Sequence, residues 1–257
     1  MKKIFLGTLI IVLAFSLGCS TPARNTVMQT STIDALLSGV YDGDMSCREL
    51  LKHGNIGIGT FNRLDGEMIV LDGTVYQVKV DGKVYVPSAE TMTPFACVCN
   101  FQTDRIFTIL RGANYKAVKS IIDDCVPNQN IFCAIKISGR FKLMKTRSVA
   151  AQQKPYRPLA VVIKDQAVFN MKNISGTIVG FRSPPFVKGI NVPGYHLHFI
   201  SDDHKQGGHI LDFELAAGTC EVDICNRYFL ILPDDEDRLK DLDLSKDRSG
   251  ELEKVER

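Results

Sequence analysis

The sequence predicts a β-rich α+β protein in two parts, an N-terminal sheet domain with a few helices and then a small C-terminal β-barrel. Three observations carry that prediction. Short β-prone runs divided by turn residues fill most of the chain from Ile56 onward. Helical periodicity is confined to a few brief segments. The stretch Gln152-Gln-Lys-Pro-Tyr-Arg-Pro158 interrupts the strand pattern and marks a crossing between the parts. Of 257 residues, 45% are hydrophobic and 23% charged, enough apolar material for one large core or two modest ones, which argues against disorder. A net charge of +2 with both signs interleaved points away from nucleic acid or another polyanion as partner.

The chain opens with Lys2 and Lys3 before an apolar run from Ile4 to Gly18. This has the form of a basic n-region and an h-region, too short for a membrane span of ~20 residues. Ser16-Leu17-Gly18-Cys19 resembles a bacterial lipoprotein cleavage box, so the expectation is an exported protein, extracellular or in the cell envelope, that touches membrane only through an acylated Cys19. Residues 20–29 read as a polar tether. Thr32 to Val40 carries apolar residues on one helical face, and Ser46-Cys-Arg-Glu49 forms a capping box for a second short helix that Gly54 would close. Asp65-Gly66, Asp72-Gly73 and Asp81-Gly82 then divide an antiparallel meander. Asn114 to Asp124 is the best internal helix, and strands are expected at Ile131 to Ser138 and Phe141 to Val149.

Beyond the crossing, Val161 to Ile163, Gly176 to Arg182, His196 to Ser201, His209 to Glu214 and Tyr228 to Leu232 are short strands spaced as in a closed or partly closed barrel. The expected divisions are thus a signal segment (1–19), a tether (20–29), the sheet domain (30–151), the barrel (152–232) and a charged tail (233–257). Eight cysteines without a Cys-x-x-Cys pair read mostly as buried small hydrophobes rather than as a disulfide framework.

Four of the five histidines fall between His196 and His209. Residues i and i+2 of a strand share a face, so His196 and His198 present two imidazoles side by side. The intervening loop, with Asp202, Asp203, Gly207 and Gly208, suits a return that brings His209 to meet them. Three nitrogens with one position open is the usual catalytic zinc arrangement. Iron, manganese, nickel or copper suit the same nitrogens. His204, in the turn, reads as exposed, and His53, at a helix end, as a cap or core neighbour.

Ser38-Gly-Val-Tyr-Asp-Gly43, His53-Gly-Asn-Ile-Gly-Ile-Gly-Thr-Phe-Asn62, Leu64-Asp-Gly-Glu67 and Gly189-Ile-Asn-Val-Pro-Gly-Tyr-His-Leu-His198 resemble the alpha-acetolactate decarboxylase family, from about Ile33 to Glu256. The resemblance implies a mixed N-terminal sheet that continues across a homodimer, a C-terminal barrel and a metal between them. It implies conversion of (S)-2-acetolactate to (R)-acetoin and carbon dioxide through a metal-chelated enediolate. The metal ligands would be His196, His198 and His209, and the catalytic residues Glu67, Arg147 and Glu256, with either Glu as proton donor or as a further ligand. Glu256 requires the charged tail to fold back to the site. Two readings compete: a cupin-like metal oxygenase or isomerase, which would want a Glu soon after the second His where Asp202 and Asp203 stand, and a non-catalytic metal-binding envelope lipoprotein.

Overall fold

A computed structural model describes residues 24–256. The signal segment, Cys19 and the first residues of the expected tether lie outside them. In chain order the elements are β1 (Thr26–Thr30), α1 (Ile33–Leu37), β2 (Met45–Ser46), α2 (Cys47–Leu50), β3 (Ile56–Thr60), β4 (Glu67–Leu71), β5 (Thr74–Val78), β6 (Val84–Tyr85), β7 (Met92–Thr93), β8 (Ala96–Cys99), β9 (Arg105–Asn114), α3 (Tyr115–Cys125), β10 (Phe132–Ser148), α4 (Leu159–Val162), β11 (Ala167–Ser183), β12 (Gly194–Ser201), β13 (Gly207–Cys225), β14 (Arg227–Ile231) and α5 (Ser249–Val255).

Local chemistry starts the helices. The side chains of Thr32, Ser46 and Asn114 accept from the backbone N–H three residues on and so cap α1, α2 and α3. Strands dominate the rest. The first sheet runs β14-β1-β8-β3-β4-β5-β6. Its β1–β14 pair is parallel while the others are antiparallel, so the sheet is mixed. Asp72 and Gly73, both at positive φ, make the two-residue turn between β4 and β5.

The second sheet is built from long strands. β10 pairs with β11 on one side and with β13 on the other; β11 pairs with β12, β12 with β13 over three residues, and β9 flanks β13. Glycines let three of these strands approach closely. Gly139 of β10 pairs with Gly176 of β11 and Gly218 of β13, and a Cβ on Gly139 would lie 2.5 Å from the Ala217 carbonyl. One apolar core fills the space between the sheets, and a second is enclosed by the long strands and α3.

Five expectations need correction. Residues 26–29 are not tether but most of β1, a central strand whose Val27, Met28 and Gln29 are buried. Gln29 looked solvent-bound in sequence, yet its amide donates to the Ser31 and Ile190 carbonyls and its oxygen accepts from Tyr228 and Cys97. The two strands expected between Ile131 and Val149 are one, Phe132–Ser148, because Gly139 serves close strand approach rather than a break. Residues 161–163 lie at the end of α4 and in the 3-10 turn that follows, not in a strand, since Pro158 starts a helix there. Gly54 does not close α2, which already ends at Leu50; it packs against the Cys99 backbone instead. The divide at residue 152 also does not separate the sheets. β9 and β10 precede it yet belong to the second sheet, and β14 follows it yet joins the first.

Candidate metal centre

The site lies where β12 and β13 of the second sheet face β4 of the first. His196 and His198 stand two residues apart on β12, and the β12–β13 register sets His198 opposite His209. The three rings form a triangle with centroids 5.1–5.3 Å apart. One nitrogen from each ring lies within 4.8 Å of the other two. Met68 on β4 fixes the orientation of one ring, because its carbonyl lies 2.8 Å from His198 Nδ1 and so turns Nε2 toward the other imidazoles.

Burial determines the protonation of this trio. It lowers the pKa of His196 to about 3 and those of His198 and His209 well below the ordinary value; Arg147 lowers all three further, and the neighbouring imidazoles add to the effect for His198 and His209. Neutral imidazoles are the form that binds metal. His198 Nε2 and both ring nitrogens of His209 are buried without a hydrogen-bond partner, a costly arrangement that a cation would relieve. The residues therefore fit a divalent metal ion.

Around the trio the structure gathers the other predicted residues. Arg147 on β10, paired in register with His209, directs its guanidinium to Glu67 Oε1 at 3.2 Å and donates to the Val255 carbonyl at 3.0 Å. Glu67, the first residue of β4, places Oε2 3.7 Å from His198 Nε2. Glu256, just past α5, places Oε2 3.9 Å from Nε2 of both His196 and His209. The charged tail reaches this position because Leu252 and Val255 of α5 bury themselves in the first core. Burial raises both carboxyls to about 7, opposed in each case by Arg147, and Glu256 raises Glu67 further. Each carboxyl can therefore hold or release a proton near neutrality.

A small cavity opens on these groups. Ile33, Leu36, Leu64, Phe95, Val149 and Leu159 line its other walls, giving a small chamber apolar on one side and ionisable on the other. Asp202 and Asp203 stand exposed in the turn after β12, outside the chamber. His204 packs on Tyr76, and His53 lies beside Glu49 and Phe229. Sequence reasoning missed the carbonyls of Met68 and Val255, which main-chain position alone supplies and no residue type announces.

Comparison with known proteins agrees with this geometry. The family described as Alpha-acetolactate decarboxylase matches residues 27–246. An Alpha-acetolactate decarboxylase of Methanosarcina mazei is 46% identical over 93% of this chain and 82% of its own length. One from Klebsiella aerogenes is 43% identical over 82% of this chain and 81% of its own length. The crystal structure of alpha-acetolactate decarboxylase from Bacillus subtilis strain 168 superposes with a TM-score of 0.87 at 38% identity, covering 90% of this chain and 99% of that one. Sequence, fold and the chemistry gathered around the three histidines converge, and the chain belongs to the alpha-acetolactate decarboxylase family of carboxy-lyases.

Proposed function

We propose that this chain converts (S)-2-acetolactate to (R)-acetoin and carbon dioxide with a divalent metal, zinc foremost, held by His196, His198 and His209. The observation that carries the reading is the convergence of three buried neutral imidazoles, one guanidinium and two carboxyls of raised pKa on a single small chamber. When bound, such a cation supplies Lewis-acid stabilisation of negative charge on substrate oxygen.

The protein groups account for the rest of the reaction. Breaking the carboxylate C–C bond of acetolactate releases carbon dioxide and leaves the electron pair delocalised into the neighbouring ketone as an enediolate. Arg147 offers paired donors to the departing carboxylate or to that enediolate. One proton must then reach carbon from one face only. Glu256 or Glu67 holds it on a carboxyl oxygen and delivers it, directly or through water, and a pKa near 7 suits that task. The apolar wall accepts the two methyl groups of the substrate.

The same reading includes a homodimer through the open edges of the first sheet, at β14 or β6, and closure of the second sheet into a barrel, supported by pairings that lead from β10 through β11, β12 and β13 back to β10. It also includes export with lipidation at Cys19, for which mass spectrometry of the mature N-terminus is the test. Incubating the purified chain with (S)-2-acetolactate and resolving the acetoin enantiomers tests the activity. The expected product is (R)-acetoin with one equivalent of carbon dioxide; no acetoin above the spontaneous rate would overturn the assignment.

A further inference from the structure

A second group of ligand-type side chains is buried away from the histidines, where the two sheets meet. Cys99 ends β8 of the first sheet, and Asp223 and Cys225 lie two residues apart at the end of β13, hence on one face. One ligand atom from each, Sγ, a carboxylate oxygen and Sγ, lies within 4.8 Å of the others, and the residues are 1%, 2% and 0% exposed. A zinc ion with bonds of about 2.3 Å to sulfur and 2.0–2.2 Å to carboxylate oxygen sets neighbouring ligand atoms roughly 3.4–3.8 Å apart, within easy side-chain adjustment of this arrangement.

Asp223 supplies an independent reason to expect a cation. Its carboxylate accepts from the Gln102 N–H at 2.9 Å, and the charged neighbour that acts on it is another carboxylate, Asp104. Among the described residues no basic side chain pairs with it. A buried carboxyl beside two buried thiols and no counter-charge is an unfavourable set of neighbours for a folded core, and cation binding with loss of their protons resolves it. Residues 102–105 above the cluster are exposed, a short route for an ion and for a water that completes four-coordination.

We propose that Cys99, Asp223 and Cys225 form a second, structural site for a thiophilic divalent cation, zinc, that clips the first sheet to the second. Binding releases the two thiol protons, and any carboxyl proton, to solvent and changes no oxidation state. The site is independent of the decarboxylase chemistry and contributes nothing to the reacting atoms.

Cobalt(II) loading of the metal-depleted full chain tests this, because thiolate-to-cobalt charge transfer in the near ultraviolet requires sulfur ligands and the histidine site has none. The expected result is two cobalt ions per chain with that band present. Cys99→Ser and Cys225→Ser each lose the band and one equivalent while acetoin formation stays within about twofold, and Asp223→Asn weakens the second equivalent at least tenfold. Should a serine variant fail to fold, the wild-type stoichiometry and band still decide. A single equivalent without the band overturns the proposal, as does a Cys99–Cys225 disulfide found by peptide mapping. A band that persists in both serine variants also overturns it.

Discussion

Replacing Arg147 by Met keeps an alkyl stem of similar length and removes the guanidinium from a site where Arg147 is only 5% exposed. Two contacts disappear: the ion pair to Glu67 at 3.2 Å and the hydrogen bond to the Val255 carbonyl at 3.0 Å. The first sets the charge beside His198; the second ties α5, and with it Glu256, to the chamber. In the proposed reaction the same donors face the developing anion. Hydrogen bonds to charged groups are worth about 1.5–3 kcal/mol each, so losing two from the reacting state removes roughly 3–6 kcal/mol. That corresponds to a fall in kcat/KM of about 10²–10⁴. Initial rates of acetoin release from (S)-2-acetolactate measure it, with thermal unfolding run in parallel to confirm a folded chain. Arg147→Lys retains charge without the paired donors and should recover only part of the loss. A folded Arg147→Met chain within tenfold of the parent would refute the role assigned to this residue.

Further predictions follow from the same geometry. Glu256→Gln should lower kcat by about 10²–10⁴ with the metal content unchanged, as loss of a proton donor does; undiminished turnover would remove Glu256 from the reaction. Deleting residues 249–257 removes Glu256 together with Leu252 and Val255, whose burial contributes about 1.5–3 kcal/mol each, so unfolding should shift to lower temperature and acetoin formation should cease while circular dichroism still reports a folded chain. Asp123→Asn should destabilise the fold by about 1–3 kcal/mol, because the amide keeps an acceptor oxygen for Arg182 and Tyr195 but removes the negative charge that compensates a guanidinium only 2% exposed. Burial opposes ionisation of Asp123, but hydrogen bonds from Tyr195 and Arg182 outweigh it and hold the carboxyl below its usual value. Its stabilisation is therefore present above the unfolded-state pKa and lost as pH falls through the folded one, so urea midpoints of parent and variant should converge in acid.

The histidine trio was legible because its signal is local. A two-residue strand period and a short turn suffice to bring His196, His198 and His209 together, and the β12–β13 register does so. The helix starts were legible for the same reason, since Thr32, Ser46 and Asn114 bond to their own first turns. Glu67, Arg147 and Glu256 carry no such signal. They come from β4, β10 and the residue after α5, and only the resemblance to a family singled them out. β1 was missed because the partners of Gln29 include a carbonyl 161 residues away, which no local pattern encodes. The division of the chain at 152 failed for a related reason: strand exchange between sheets depends on pairings across more than a hundred residues, as with β1 and β14.

In the proposed function, a metal on His196, His198 and His209 is required for loss of carbon dioxide from acetolactate. Acetoin formation from (S)-2-acetolactate by the purified chain, before chelation, after chelation and after return of a stoichiometric excess of zinc, tests it most directly. Activity is expected to disappear with the metal and to return with it in the parent chain, but not to return in His209→Ala. Undiminished acetoin formation by the metal-free chain would contradict it.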